Sequence, residues 1–422
     1  MIQVEDALRL IFERVVPLAA ERTPLINARG RILRTAARAD LDSPPFDASA
    51  MDGYAARRAD LGRPLRVAGE VPAGGTYAGT VAAGECVRIF TGAPIPAGAD
   101  CVVKQEDTSR EGAIVCVANA GGPALIRRRG ENRRAGDVVV PAGTRLGPPE
   151  LAALAAIGET EPEVARLPVC SHLVTGNELV PPSHRPAGAQ IRDSNSTLIA
   201  HLLEANGART GNHGLARDDL AAAQNAMRSL GGTDILLLSG GAGPGDHDLA
   251  RPLLQSLGYE IHFDGLNLRP GKPLVFASKG RQLAFALPGN PVSHWVTFHL
   301  FVAPALRKLQ TGLDETPPRL AGRLATGAKL PPPDARRTFW PCRAQVVNGA
   351  YELTPLPLAS SGDSSGLVGA NALLDLHSLE AGAVLPRTAT SAPHATPRGT
   401  TGPASTAKSL DPAQPVEFIS CV

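Results

Sequence analysis

With 422 residues, 43% of them hydrophobic, the chain has room for about two to four domains with ordinary apolar cores. A net charge of +2 argues against a nucleic-acid-binding protein, whose contact face needs an excess of Lys and Arg, and no apolar run approaches the ~20 residues of a membrane span. The six cysteines (Cys86, Cys101, Cys116, Cys170, Cys342, Cys421) never fall in C-x-x-C, so neither a zinc signature nor a dense disulfide framework is read, which suits a reducing compartment.

The N-terminus carries no basic-then-apolar secretory signal, and a cytoplasmic location is expected. Val4, Ala7, Leu8, Ile11 and Val15 recur at helical spacing as far as Pro17, a core or dimer-packing helix. From about Ala36 the texture changes. Ser43 to Ala55 is a turn-rich loop with Asp47 and Asp52, and short β-like runs then alternate with Gly and Pro as far as Gly136, as in a small inserted β domain. Arg127 to Asp137 is the densest charge run, either a solvated loop or a phosphate contact. Pro148 to Ile157 is a short helix, with Pro near its start and Gly158 past its end.

From Pro168 an α/β texture begins. Val169 to Val174 is a strand followed by the loop Thr175-Gly176-Asn177-Glu178-Leu179. Gln190 to Asn195 leads into a helix ending at Asn206-Gly207, and Arg217-Asp218-Asp219 caps a helix running to Leu230. Asp234 to Leu238 is a buried strand feeding Ser239-Gly240-Gly241-Ala242-Gly243-Pro244-Gly245-Asp246, with a helical pattern from His247 to Leu257. Such a loop lets the backbone approach an anion, although a plain tight turn reads equally well. It is neither a Rossmann fingerprint nor a P-loop, because Lys272 is followed by Pro273. Arg269-Pro270-Gly271-Lys272-Pro273 and Leu287 to Ser293 are two more turn loops beside apolar runs, and His294 to Lys308 is the closing helix, ended by Gly312. Asp314 to about Leu385 is β again, with a hairpin across Asn348-Gly349. The segment after residue 385, rich in Thr, Ser, Pro, Ala and Gly, is expected to be a disordered tail.

Several motifs occur in one order: Ser-Ala-Met-Asp-Gly-Tyr-Ala, Thr-Gly-Ala-Pro, Arg-Arg-x-Gly-Glu, Thr-Gly-x-Glu-Leu, Arg-Asp-Ser-Asn, Ser-Gly-Gly, Pro-Gly-Lys-Pro and Leu-Pro-Gly-Asn-Pro-Val-Ser. Together, from about Val4 to Leu385, they resemble the MoeA family, the molybdopterin molybdenumtransferases, which is similar to the gephyrin E domain. The resemblance implies a multidomain α/β plus β fold: a segmented helical and dimerisation domain (1–36 and 138–166), an inserted β domain (37–137), a MogA-like α/β domain with a parallel sheet (167–312) and a C-terminal β barrel (313–385), before the tail 386–422. It implies a homodimer, with each active site between the α/β domain of one subunit and the β domains of the other. The implied reaction is a step of molybdenum cofactor biosynthesis. Molybdate is inserted into adenylylated molybdopterin, with Mg²⁺ as cofactor and release of AMP. Contacts with the adenylyltransferase and acceptor molybdoenzymes would follow.

Carried over by motif, the resemblance implies catalytic roles for Asp52, Glu178, Asp218, Asp248 and Lys272, with Asp52, Asp218 and Asp248 holding the metal. Substrate binding falls on Thr91, Ser239, Gly240, Gly241, Arg269, Pro288, Asn290 and Ser293, with Arg337 and Ser365 loosely aligned in the barrel. Plainer readings stand beside these: Asp218 and Asp246 as helix caps, and Asp52 as a turn residue. The chain departs from the family pattern at Asn132 and Asn177, where Asp is usual, at Ala242-Gly243, which loses a hydroxyl, at Gly265, where a basic residue often stands, and at Arg269, where Lys is usual. These departures keep open a diverged, weakly active paralogue that binds molybdopterin or a partner enzyme. A third reading, adenylyl transfer, is disfavoured by the two β domains.

Overall fold

The structure is a computed structural model that describes residues 1–230, 232–241, 249–380 and 416–421. The chain divides into two compact units, one of residues 1–19 with 165–422 and one of residues 20–164.

The first helix, α1 (Val4–Arg14), belongs to the larger unit. Its apolar stripe of Val4, Ala7, Leu8, Ile11 and Phe12 packs into the core that also holds Leu266, Leu268, Phe298 and Leu309. This corrects the expectation that residues 1–36 form one piece with 138–166. The spacing predicts a buried stripe but not which core buries it, and the apolar partners lie some 250 to 300 residues away.

In the smaller unit, six strands form one sheet: β1 (Gly53–Ala56), β2 (Leu65–Val71), β3 (Glu85–Ile89), β4 (Cys101–Lys104), β5 (Thr108–Glu111) and β6 (Ile114–Val117). Their order is β4-β1-β3-β2-β6-β5. A second small core gathers Leu33, Ala37, Val140, Leu146 and Leu154, the last from α2 (Pro148–Ala156).

The larger unit carries a six-stranded sheet built from β7 (Val169–Thr175), β8 (Arg209–Ala216), β9 (Ile235–Ser239), β10 (Glu260–Asp264), β12 (Val275–Lys279) and β13 (Gln282–Leu287); a two-residue strand, β11 (Leu268–Arg269), lies between β10 and β12 in sequence. The order is β8-β7-β9-β13-β12-β10, parallel from β8 to β13 and antiparallel beyond. The strand β9 (Ile-Leu-Leu-Leu-Ser) is buried along its whole length, as an unbroken apolar run in the middle of a parallel sheet should be. Helices α3 (Asn195–Ala205), α4 (Leu220–Ser229) and α5 (Ala250–Ser256) follow strands of this sheet. The closing helix starts earlier than expected: α6 (Pro291–Thr297) continues through a five-residue π stretch (Phe298–Val302) into α7 (Ala303–Thr311). Gly312 ends it at φ 79°, the left-handed cap that glycine adopts without strain.

The C-terminal strands β14 (Arg319–Leu324), β15 (Arg337–Val347), β16 (Ala350–Pro355), β17 (Ala372–Asp375) and β18 (Val416–Ser420) close into a barrel, because β15 pairs with both β16 and β17 while β14 and β18 complete the ring. The Asn348-Gly349 hairpin is as read, with both residues at positive φ. Val416–Ser420 falls in the segment expected to be a disordered tail; it is instead a barrel strand. Its alternating apolar residues, buried at Val416, Phe418 and Ile419, fit the gap between β14 and β17. Residues 381–415 and 422 lie outside the described residues.

Candidate active site

The C-terminal ends of the parallel strands open onto a cleft of about 830 Å³ in the larger unit. Five loops and the barrel wall it. Thr175 ends β7 and Glu178 follows it; before α4 comes Asp218; after β9 come Gly240 and Gly241; after β13 come Pro288, Gly289, Asn290, Val292 and Ser293. The turn after β11 supplies Arg269 to Pro273, and the barrel supplies Arg336, Trp340 and the 358–361 segment. In open α/β sheets, ligands bind outside the carboxyl ends of the strands.

Two glycines have no substitute here. At Gly240 (φ 89°) an added Cβ would sit 2.4 Å from the Thr175 carbonyl oxygen; at Gly271 (φ 118°) it would sit 2.6 Å from Thr297 Cγ2. The same tight approach places Thr175 beside the glycine loop, where its hydroxyl is buried without a partner among the described residues.

The cations differ in what they already hold. Asp334 accepts two bonds from Arg336, 2.8 Å from Nε and 2.7 Å from Nη2, and lies 3.6 Å from Arg269 Nη1. The Arg336 bonds, and to a lesser extent the charge of Arg269, hold the Asp334 carboxyl well below the usual carboxylate range. Arg269 also donates to the Pro332 carbonyl at 2.6 Å. Lys272 differs: among the described residues its ammonium has no partner. Of the carboxylates, Asp218 accepts from the Asn177 backbone at 3.2 Å, while the Asn177 side-chain oxygen accepts from the Asp218 backbone at 3.4 Å. Asp219, not Asp218, caps α4, accepting from Ala222 N at 2.8 Å, so the helix-cap reading of Asp218 is set aside.

A buried polar chain lies beneath the floor. His294 Nδ1 is 2.9 Å from the Pro288 carbonyl, which can only accept, so Nδ1 carries the proton and Nε2 accepts. Ser239 therefore donates to His294 Nε2 at 3.2 Å, and His172 Nε2 donates to Ser239 Oγ at 2.5 Å. Burial pushes both imidazoles down, His294 to about 4 and His172 well below its ordinary value, the latter also disfavoured by neighbouring His294 and His213. The chain is neutral near pH 7 and joins the strand before Gly240 to the loop of Pro288.

Among the expected residues, Glu178, Asp218, Lys272, Gly240, Gly241, Arg269, Pro288, Asn290 and Ser293 all line the cleft. Ser239 does not; it is 1% exposed and works from below. Arg337 also does not line it: the alternation along β15 turns it away, where it pairs with Glu5 and, at 2.7 Å, with Asp375. Its neighbour Arg336 takes the place. Ser365 bonds Asp363 at 2.6 Å outside the cleft lining, which Ser360 and Ser361 reach instead. Asp248 lies outside the described residues, as does Asp246. Asp52 and Thr91 belong to the smaller unit and bind each other: the Thr91 amide and hydroxyl donate to Asp52 Oδ1 at 2.8 and 2.7 Å and lower its pKa. The arginine run is largely occupied, with Arg128 on Asp47 at 2.5 Å, Arg129 on Asp42 at 2.6 Å and Arg127 on Asn132 at 2.5 Å. Among the described residues no group of three His, Cys, Asp or Glu side chains is arranged to hold a metal ion. The barrel that walls the cleft belongs to the same chain as the α/β sheet. Trp340, Arg336 and Thr175 were missed by sequence reasoning; the Arg336-Arg337 pair was the available signal, one residue out of register.

Three family models match in order: the MoeA N-terminal region (domain I and II) over residues 2–158, the "Probable molybdopterin binding domain" over 171–308, and the MoeA C-terminal region (domain IV) over 323–383. A molybdopterin molybdenumtransferase of Nostoc is 35% identical over 390 residues, covering 88% of this chain and 89% of the relative. The chain belongs to the MoeA family. The relative of that name from Bacillus subtilis is 31% identical, covering 89% and 90% of the two chains. Gephyrin of Dictyostelium discoideum is 32% identical across 73% of this chain and 50% of its own length. The MoeA structure from Pyrococcus horikoshii superposes with a TM-score of 0.79 at 27% identity, covering 100% of this chain and 99% of that one. The MoeA family is one of molybdenum cofactor biosynthesis, and this full-length similarity to named transferases does not favour the weakened-paralogue reading. No helix among the described residues is long and apolar enough to cross a membrane.

Proposed function

We propose that this chain is a molybdopterin molybdenumtransferase that binds adenylylated molybdopterin and molybdate, inserts the metal at the dithiolene and releases AMP. The observation that carries this reading is the ammonium of Lys272, without a partner among the described residues, on a stiff Gly-Lys-Pro turn in one cleft with the Gly240-Gly241 loop and Arg336. Both reactants are anionic. The diphosphate needs backbone amides that can approach closely, and the oxyanion needs a cation free of protein carboxylates. Thr175, Ser293, Ser360 and Ser361 add hydroxyls to the same walls.

Glu178 and Asp218 suit a divalent cation, since Mg²⁺ takes one or two protein carboxylates and completes its shell with phosphate and water oxygens. When bound, Mg²⁺ supplies charge neutralisation at the diphosphate. Asp248 joins this set by family position. The reading includes a cytoplasmic homodimer in which the Asp52–Thr91 pair of one copy serves the cleft of the other, and contacts with the adenylyltransferase and acceptor molybdoenzymes. The test is AMP release from adenylylated molybdopterin on adding molybdate and Mg²⁺. Release that is the same without molybdate, or absent altogether, rejects the reading.

A further inference from the structure

The cleft has a second character that its anion chemistry leaves unused. Trp340 projects from β15 on the face opposite to Phe339, which is fully buried, so the indole is half-buried against the cleft. Its Nε1–H donates to the Leu356 carbonyl at 3.0 Å, and the same carbonyl accepts from Leu358 N at 2.9 Å. The one polar group of the indole is therefore satisfied, its plane is fixed, and what remains toward the cleft is ring carbon. Leu358, Ala359 and Pro332 line the cleft with it. Arg269 sits 6.0 Å from the ring centroid, at the outer limit of a cation–π contact, and is already held by Pro332 and Asp334. A rigid aromatic surface beside three cations fits a ligand that is planar and apolar-faced at one end and anionic at the other.

We infer that Trp340 is the stacking platform for the fused-ring heterocycle of the phosphate-bearing substrate, setting its orientation while Lys272, Arg336 and the Gly240-Gly241 loop hold the anionic end. The inference rests on the proposed function and adds a residue that discriminates between ring-bearing and bare anions.

The chain has two tryptophans, so a Trp295→Phe variant leaves Trp340 as the sole indole reporter. Fluorescence titrations with AMP, a simple pterin, inorganic phosphate and molybdate then separate the two ends of the ligand. AMP or the pterin quenches Trp340, with the responding probe naming the ring that stacks; phosphate and molybdate bind with little quenching. Measured by calorimetry, Trp340→Leu, which keeps apolar bulk without a planar face, weakens binding of the responding ring by about tenfold or more and leaves molybdate affinity within about twofold; Trp340→Phe recovers most of the loss. Equal ring affinity in Trp340→Leu and the parent overturns the stacking role while the functional reading survives. A parent that binds none of the four probes overturns both.

Discussion

Lys272 is the residue on which the proposed chemistry turns. Its neighbours Gly271 and Pro273 leave the turn little freedom, and no carboxylate among the described residues competes for its charge. Lys272→Ala is expected to lower molybdate-dependent AMP release by about 10²-fold, as loss of a pre-organised charge does, with unchanged circular dichroism. An undiminished rate in the folded variant returns Lys272 to a solvent-facing role. Asn177 raises a different question, because it and Asp218 hold each other's backbone. Asn177→Asp sets a second carboxylate beside Asp218. It is expected to lower the Mg²⁺ concentration that gives half-maximal AMP release; Asn132→Asp is not, since Asn132 is bonded to Arg127. If the Asn132 variant moves the Mg²⁺ dependence and the Asn177 variant does not, Asp218 is not at the metal.

At the scale of elements, two junctions decide whether the cleft keeps its shape. The His172–Ser239–His294 chain fastens the end of β9 to the Pro288 loop through a buried carbonyl acceptor. In His294→Leu that carbonyl loses its donor, at a cost of about 1–3 kcal/mol, whereas the amide of His294→Asn keeps a donor in the same place. Denaturant unfolding should rank the parent above the Asn variant and the Asn variant above the Leu variant; equal stability of Asn and Leu would mean that the Pro288 bond contributes nothing. The other junction is β18. Phe418 is 1% exposed in the barrel and meets the Tyr351 ring at 5.1 Å. Phe418→Ala should destabilise by about 3–5 kcal/mol, and loss of residues 416–422 by at least as much. A truncated chain that unfolds at the parent's denaturant midpoint would show that the barrel does not need its last strand.

For the whole molecule, assembly and pH are the informative variables. If the Asp52–Thr91 pair serves the partner's cleft, mixing Asp52→Ala and Lys272→Ala chains rebuilds one complete site in each hybrid dimer. Random exchange then restores about a quarter of the parent activity, since half the dimers are hybrids with half their sites intact. No recovery after verified exchange rejects the shared site. The pH profile follows from burial of His294 and His299, each pushed down to about 4 from 6.5. Between those values the unfolded chain binds protons that the folded chain refuses. Stability is therefore full above pH 6.5 and falls as pH drops toward 4, by up to ~1.4 kcal/mol per pH unit for each histidine. Asp42, Asp47 and Asp52, whose pKa values are lowered from 3.8, act only below this window. His299→Phe should flatten the melting temperature between pH 6.5 and 4.5; a slope identical to the parent's would assign the loss elsewhere.

The sequence by itself determined whatever depends on neighbours in the chain. The unbroken apolar run of β9, the glycines of the loop after it, the Asn348-Gly349 hairpin and the stiff turn around Lys272 are local consequences of side-chain volume and φ preference. So are the motifs that name the family, because each is a short contiguous run of residues. Tertiary structure alone decided which long-range partner each surface meets. The α1 stripe is equally apolar against any core. Val416–Ser420 reads as a short run after a polar tail until the gap between β14 and β17 is in view. Arg336 and Arg337 are chemically equivalent in sequence, and only the pleat of β15 sends one toward the cleft and the other to Glu5 and Asp375. Trp340 carries no motif; it lines the cleft because the barrel packs against the carboxyl ends of the sheet, a juxtaposition set by burial of apolar area across distant parts of the chain.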